Sequence, residues 1–600
     1  MQSHNSSAGK VALASVITVS GSQATVGLPA ISMEGNDGRA TVGKFLAIHS
    51  GAAVLIGMVT EVSIETPIIA RELGYVATAG LDLMGEICAN AEGRRFFQRG
   101  VTEYPAIGDP AHLLSGEDLR LVYDMSGNDS IELGQLQQDS AIQAHINVSE
   151  MLTKHFAVLG TTGVGKSSGV ALILQQVLAT RPDLRILLLD GHNEYGRCFG
   201  DKAQVLNPRN LKLPFWLFNF EETVDVIFGG RPGVDDEVEI LAEVVVAAKA
   251  NYTQYKNSND RTAIKRLDAR STGYTVDTPV PYRLQDLVAL IDERMGKLEN
   301  RSSRMHYHRL ITRVETVRND PRYAFMFDNA NVGGDTMGDV LRQLFRIPPS
   351  GKPMTIMQLA GFPAEVVDSV VSVLGRMAFD FGLWSDGAVP ILFVCEEAHR
   401  YASADRSIGF GPTRKAISRI AKEGRKYGVF LGLVTQRPAE LDATIISQCS
   451  TLFVMRMAND RDQALVRSAV LDAAANLLSF VPSLGTREVL AFGEGVALPT
   501  RLKFAQVPED LLPRSEAVAH GSGNVSVTSP DFIDTVIERW RGAMMSQKGR
   551  PDDGPADFRD ETPPLAPAGL DPHRFKLLKR PIEGAGASLG AGLGESLLRR

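Results

Sequence analysis

The stretch His155-Phe-Ala-Val-Leu-Gly160-Thr-Thr-Gly-Val-Gly165-Lys166-Ser167-Ser-Gly169 decides the fold. Four apolar residues, Phe156 to Leu159, run into Gly160-x-x-x-x-Gly165-Lys166-Ser167, and a helical pattern follows through Val170, Leu172, Ile173, Val177 and Leu178. Strand, glycine-rich loop and helix in that order let backbone N–H groups curl around phosphate oxygens. The helix start adds roughly half a positive charge. Lys166 supplies a full charge to the β- and γ-phosphates, and the Ser167 hydroxyl is placed to ligate Mg²⁺. The reading is a nucleoside triphosphate site whose candidate contacts are Gly160, Thr161, Thr162, Gly163, Val164, Gly165, Lys166, Ser167 and Ser168.

Around this loop, apolar strands alternate with helical segments. They are Arg185-Ile-Leu-Leu-Leu-Asp190, Met354 to Leu359, Ile391 to Cys395, Val429 to Thr435, Thr451 to Arg456 and Glu488 to Phe492, with a helix over Glu365–Phe381. That alternation predicts an α/β, RecA-like phosphate-loop core with a mainly parallel sheet covered on both faces. Residues 222–345 change to helical periodicity and read as an insertion, splitting the core into 121–221 and 346–505. Residues 1–120 alternate in short strands with Gly, Asn and Ser turns, which predicts a small antiparallel N-terminal β-barrel with a structural or docking role. Residues 506–600 form a C-terminal extension. Beyond about 545 it is rich in Pro, Gly and Asp, so a partly disordered tail is expected.

Composition sets outer limits. The chain has 600 residues, 44% hydrophobic and 22% charged, with a net charge of −7. These are the values of a soluble globular protein, and the total charge argues neither for nor against nucleic acid. Cys88, Cys198, Cys395 and Cys449 are scattered without a C-x-x-C pair, which fits free thiols in a reducing, cytoplasmic compartment. No apolar run approaches about 18 residues, so no membrane span is expected.

The strand Ile391–Cys395 ends in Glu396-Glu397-Ala-His399. A carboxylate at such a tip can hold Mg²⁺ through water, and the next can orient or deprotonate an attacking water. Glu396 takes the metal role and Glu397 the catalytic one; solvated surface acids are the alternative. Gln436, beyond the strand ending at Thr435, reads either as a γ-phosphate sensor or as a plain strand-to-turn polar residue. The cluster Ser418-Arg419-Ile-Ala-Lys-Glu-Gly-Arg425-Lys-Tyr-Gly428 is a solvated helix face or the source of an arginine for a neighbouring subunit. Such a finger adds roughly 10³–10⁵ in rate. Arg425 is the first choice and Arg419 the second. Without an Asn-Lys-x-Asp guanine reader, ATP is favoured over GTP.

Two superficial matches drop out. Leu114-Ser-Gly-Glu117 precedes the phosphate loop, whereas the signature of ABC transporters follows it. A two-lobed helicase needs a second motor lobe after the acids, and residues 397 to 505 are too few to build one.

Together these motifs resemble the HerA branch of the FtsK–HerA hexameric DNA-pumping ATPases over about residues 9 to 505. The specific parts are Lys154-His155 with the loop that follows, Glu-Glu-Ala-His at 396–399, Glu-Gly-Arg-Lys-Tyr-Gly and Thr-Gln-Arg-Pro. Many relatives carry Asp where this chain has Glu396. The resemblance implies phosphate binding by Lys166, catalysis by Glu397, a trans finger in Arg425 and a second phosphate contact, at the subunit interface, in Lys154. It further implies a homo-hexamer threading double-stranded DNA through its channel. An effector, a NurA-like nuclease or an antiviral nuclease or NADase, would dock on the barrel. The competing reading is a hexameric scaffold in which ATP gates that effector. DNA contacts are expected from Arg406, Arg414 and Lys415, or from Arg301, Arg304, Arg309, Arg313 and Arg318 in the insertion. For the latter the alternative is a solvated helix face.

Overall fold

In the computed structural model the phosphate-loop strand β10 (His155–Leu159) lies inside the larger of two sheets, hydrogen-bonded on both sides and buried at every residue. The structure describes residues 13–514 except 30–38, 52, 65–73, 126–128, 258–272, 298–299, 328–333, 408 and 471–475, together with position 537. The expected tail beyond about 545 lies outside the described residues.

The first sheet holds β1 (Ala14–Ser20), β2 (Gln23–Pro29), β3 (Phe45–Ser50), β4 (Ala53–Ser63), β5 (Tyr75–Ala89), β6 (Arg95–Arg99) and β7 (Pro110–Leu113). Its order is β2-β1-β7-β3-β4-β5-β6, and β2 also pairs with β5, so six strands close a barrel and β6 extends β5. Alternation drives the closure. Val16, Val26, Leu46, Ile48, Leu55, Val59 and Leu81 point inward to a core of their own, and a closed ring leaves no unpaired edge along its length. Arg99 joins barrel to core by donating to the carbonyls of Ala497 and Gly493, each at 2.8 Å.

The second sheet adds β8 (Ser130–Leu136), β9 (Gln143–Asn147), β11 (Arg185–Asp190), β12 (Ala203–Leu206), β13 (Met354–Gln358), β14 (Ile391–Cys395), β15 (Val429–Thr435), β16 (Cys449–Val454), β17 (Glu488–Gly493) and β18 (Thr500–Phe504). Among the described residues its order is β12-β13-β11-β14-β15-β10-β16-β17-β18-β8-β9. The pairings from β12 to β16 are parallel and those from β16 onward antiparallel. β10, β13 and β14 are buried throughout, as strands covered on both faces must be. The start of the segment 121–221 supplies the outer hairpin β8–β9. Its alternating pattern suits an antiparallel edge.

Between β12 and β13 the chain runs through helices Phe220–Phe228, Asp235–Asn257, Leu284–Gly296, Arg301–Asn319 and Met337–Phe345. Asn219 begins the first with a reciprocal capping box to Glu222, satisfying N–H groups that a helix start leaves unpaired. The helix after β13 spans Val367–Trp384, two residues later at its start than the periodicity predicts.

Candidate active site

Parallel pairing decides where the chemistry collects. β10, β11, β14 and β15 all end at one edge, so the segments following each strand converge there. The result is a cleft of about 540 Å³ lined by Thr161, Thr162, Gly163, Gly165, Lys166, Ser167 and Ser168 from the loop. His192 and Glu194 follow β11, Glu396 and Glu397 follow β14, Gln436 follows β15, and Thr486, Arg487 and Pro513 complete the wall. That volume falls within the roughly 300–1,000 Å³ typical of small-molecule sites.

Two predicted loop residues support the loop from below. Gly160 has no room for a Cβ, which would lie 2.7 Å from Met455 Cβ. Val164 is fully buried, and its carbonyl accepts the Arg487 N–H at 2.9 Å. Gly163 and Gly165 have φ of +77° and +92°, which a residue with a Cβ adopts only under strain. Gly165 caps the helix Lys166–Thr180, whose positive end therefore faces the cleft.

Lys166 is buried and its Nζ lies 3.9 Å from Glu397 Oε1. Burial lowers the Lys166 pKa against the opposing pull of Glu397, Glu396 and Glu194. Glu397 has φ +50° and ψ +44°, a left-handed conformation that costs a non-glycine residue about 1–3 kcal/mol and clusters at working sites. Two imidazoles bracket its carboxylate: His192 Nε2 at 3.7 Å from Oε1 and His399 Nδ1 at 3.3 Å from Oε2. His399 Nδ1 also sits 3.0 Å from Thr435 Oγ1, at the tip of β15. Gln436 Oε1 accepts a hydrogen bond from Thr162 Oγ1, tying that tip to the loop.

The opposite wall is acidic. Asp190 accepts N–H groups of Glu194 and Tyr195 at 3.0 and 2.9 Å, which shapes the loop 191–195. Glu396 Oε2 accepts the Gly191 N–H at 3.3 Å. Burial, then the charges of Asp190, Glu194 and Glu397, push the Glu396 carboxyl up to about 9. Asp190 is raised as well, chiefly by burial. Four crowded carboxyl groups face one ammonium, an arrangement that favours an additional cation. The donors are all oxygens, as Mg²⁺ requires, with the Ser167 hydroxyl and the Glu396 carboxyl as the groups that would hold it. When bound, such an ion neutralises phosphate charge during transfer.

The other candidates lie elsewhere. Lys154 and Arg425 sit at the opposite edge of the sheet: Lys154 precedes β10 and pairs with Glu494 at 3.3 Å. Five strand residues put Lys154 roughly 16 Å from the loop of its own chain. Arg425 is exposed on the turn Gly424–Tyr427. Arg419 stacks on Phe379 at 4.0 Å and pairs with Asp380 at 3.3 Å. Arg406 is exposed, Arg414 half-buried, and Lys415 reaches Glu221 at 3.2 Å. Arg313 departs from the DNA-facing expectation: it pairs with the fully buried Glu237 at 2.9 Å and stacks on Phe228 at 4.9 Å. Arg304 and Arg309 are exposed and Arg318 half-buried, while the Arg301 side chain lies outside the described residues.

Sequence reasoning passed over His192, Glu194 and Arg487. The first two had a signal, since Gly191-His-Asn-Glu-Tyr directly follows a core strand. Arg487 had none: it sits at φ +65° just ahead of the antiparallel strand β17.

A glycine-rich loop, a buried lysine and paired acids beyond parallel strands define a P-loop ATPase with a RecA-like core. Residues 131–378 match the family model described as the central domain of helicase HerA. Over that segment the chain is similar to HerA-type helicases. A probable helicase of Methanocaldococcus jannaschii is 24% identical over 487 residues, covering 77% of this chain and 86% of that protein. The DNA double-strand break repair helicase HerA of Pyrococcus furiosus is 25% identical over 438 residues, covering 67% and 74%. The solved structure of VirB4 of Thermoanaerobacter pseudethanolicus aligns with a TM-score of 0.42 at 14% identity, over 65% of this chain and 98% of that one. Among the described residues, no helix is long and apolar enough to cross a membrane.

Proposed function

We propose that the protein is an ATP-driven translocase of double-stranded DNA that works as a ring of six identical copies with a partner nuclease, in DNA-end processing or defence against phage. The observation carrying this reading is the separation of its cations. Lys166 and Glu397 meet at one edge of the sheet, while Arg425 and Lys154 occupy the other. Those two residues therefore meet a phosphate only on another copy of the chain. In this reading Lys166 holds the phosphates, Ser167 and Glu396 hold Mg²⁺, Glu397 activates water and Gln436 senses the γ-phosphate. Arg425 of the adjacent copy stabilises the transferring group. Two relatives bearing the name helicase support DNA as the track, and the closed barrel offers a surface for the nuclease. The test is ATP hydrolysis with and without double-stranded DNA. Stimulation is expected at low salt, falling steeply as salt rises, and absent in Lys166→Ala. A rate indifferent to DNA at every salt concentration, with or without co-purifying proteins, overturns the translocase.

A further inference from the structure

The nucleotide cleft has a wall that the phosphate chemistry does not use. Glu397 and Gln436 mark the end where the γ-phosphate reacts, since one faces Lys166 and the other is bonded to Thr162 of the loop. Lys166, Ser167 and the loop N–H groups take the phosphates. Thr486, Arg487 and Pro513 are left over, and they bound the end that remains for the nucleoside. Both sides of that end are held firmly. Arg487 has φ +65°, a left-handed conformation that a side-chain-bearing residue keeps only where its surroundings enforce it. Its N–H donates to the Val164 carbonyl at 2.9 Å and its Nη1 to the Phe504 carbonyl at 3.3 Å. Its stem runs so close under the loop that a Cβ on Gly165 would lie 3.1 Å from Arg487 Cγ. Pro513 arrives from a different segment. The next residue, Arg514, donates its N–H to the Glu194 carbonyl at 3.0 Å and pairs with Glu509 at 2.8 Å. Leu511 and Leu512, just before it, pack against the core. Arg487 and Pro513 are themselves half-buried, so each keeps surface for the cleft.

A planar guanidinium stacks on the face of an aromatic ring, and a pyrrolidine ring offers a rigid apolar surface. Both hold a base by its face, and every base has one. Reading a base by its edge takes a donor or acceptor of fixed kind. Glu194 adjoins this wall through its carbonyl, yet its charge acts on Glu396, Asp190 and Lys166, which puts its carboxylate at the phosphate end. The Thr486 hydroxyl both donates and accepts, so it suits adenine and guanine equally. Among the described residues no other side chain at that end tells one purine from the other. We propose that Arg487 and Pro513 hold the nucleobase of the bound triphosphate by stacking, and that the site therefore takes ATP and GTP alike. The inference rests on the nucleotide reading of the cleft and needs neither the ring nor DNA.

The test is calorimetric binding of ATP, GTP, CTP and inorganic tripolyphosphate, each with Mg²⁺, to the full chain and to Arg487→Ala, Arg487→Gln and Pro513→Gly. ATP and GTP are expected to bind the wild type within about 3-fold of each other, and CTP, with its smaller face, more weakly. Arg487→Ala weakens both purine nucleotides by roughly 10-fold or more. It leaves tripolyphosphate binding where it was, which also shows that the loop is still folded. Arg487→Gln, flat but uncharged, falls between, and Pro513→Gly loses purine affinity with tripolyphosphate unchanged. A wild type that prefers ATP to GTP by more than about 10-fold overturns the proposal, since some group then reads the edge. So does an Arg487→Ala variant that loses tripolyphosphate as strongly as ATP, the mark of a phosphate contact, or one that loses neither. Lys166→Ala binding ATP as well as the wild type would instead defeat the nucleotide reading of the loop, a result recognised without touching Arg487.

Discussion

The ammonium of Lys166 and the carboxylate of Glu397 face each other across 3.9 Å, too far for a hydrogen bond. One is assigned to phosphate and the other to water, so their losses should differ in kind. Lys166→Ala is expected to abolish ATP binding. Glu397→Gln keeps the shape but cannot take a proton, so binding should persist while turnover drops about 10²–10⁴-fold. Fluorescent-nucleotide titration alongside phosphate release separates the two, and equal loss of binding in both variants would contradict the assignment.

Arg425 should act on a neighbour. Lys166→Ala and Arg425→Ala are each expected to be inactive alone. A random equal mixture should restore activity at roughly a quarter of the interfaces, where an intact loop meets an intact finger. Mixtures as dead as their parents would show that both residues serve the same copy.

His155 sets an acid limit. It is buried, donates through Nε2 to the Ala421 carbonyl at 2.8 Å and accepts the Leu431 N–H at Nδ1, 3.0 Å away. Burial, aided by the nearby charge of Arg425, lowers its pKa from 6.5 to about 4. Below pH 6.5 the unfolded chain takes up a proton that the folded chain refuses. Stability is thus whole above pH 6.5 and falls as pH drops toward 4, by up to about 3 kcal/mol. Thermal midpoints measured from pH 7.5 to 4 should show this slope, flattened in His155→Gln.

Arg313 should matter for folding and not for DNA. Removing it leaves Glu237, fully buried, without its cation. Because the Arg313 side chain is itself 40% exposed, about 2–3 kcal/mol is the expected loss, less than for a wholly buried pair. Arg313→Ala should lower the thermal midpoint, whereas Arg309→Ala leaves it unchanged. Equal midpoints for the two would refute the pairing argument.

The convergence of Lys166, Glu396, Glu397 and Gln436 was legible before any coordinates, because each follows an apolar strand and parallel strands end together. His192 and Glu194 follow a strand too, yet their place beside Glu397 depends on β11 pairing with β14, a contact between segments about 200 residues apart. Arg487 was out of reach for the same reason, since its N–H meets the Val164 carbonyl of the phosphate loop from a segment far along the chain. Arg313 looked like one more cation on a helix until Glu237 closed over it.

By itself the amino-acid order determined what is local: the curl of the phosphate loop, the apolar strands and the acids at their tips. These follow from backbone sterics and side-chain periodicity within a few residues. Tertiary structure alone decided which edge each charge occupies, placing Arg425 away from the cleft and the β8–β9 hairpin at the margin of the sheet. Strand order is a property of distant segments competing to bury the same apolar faces, and no short window of sequence contains that competition.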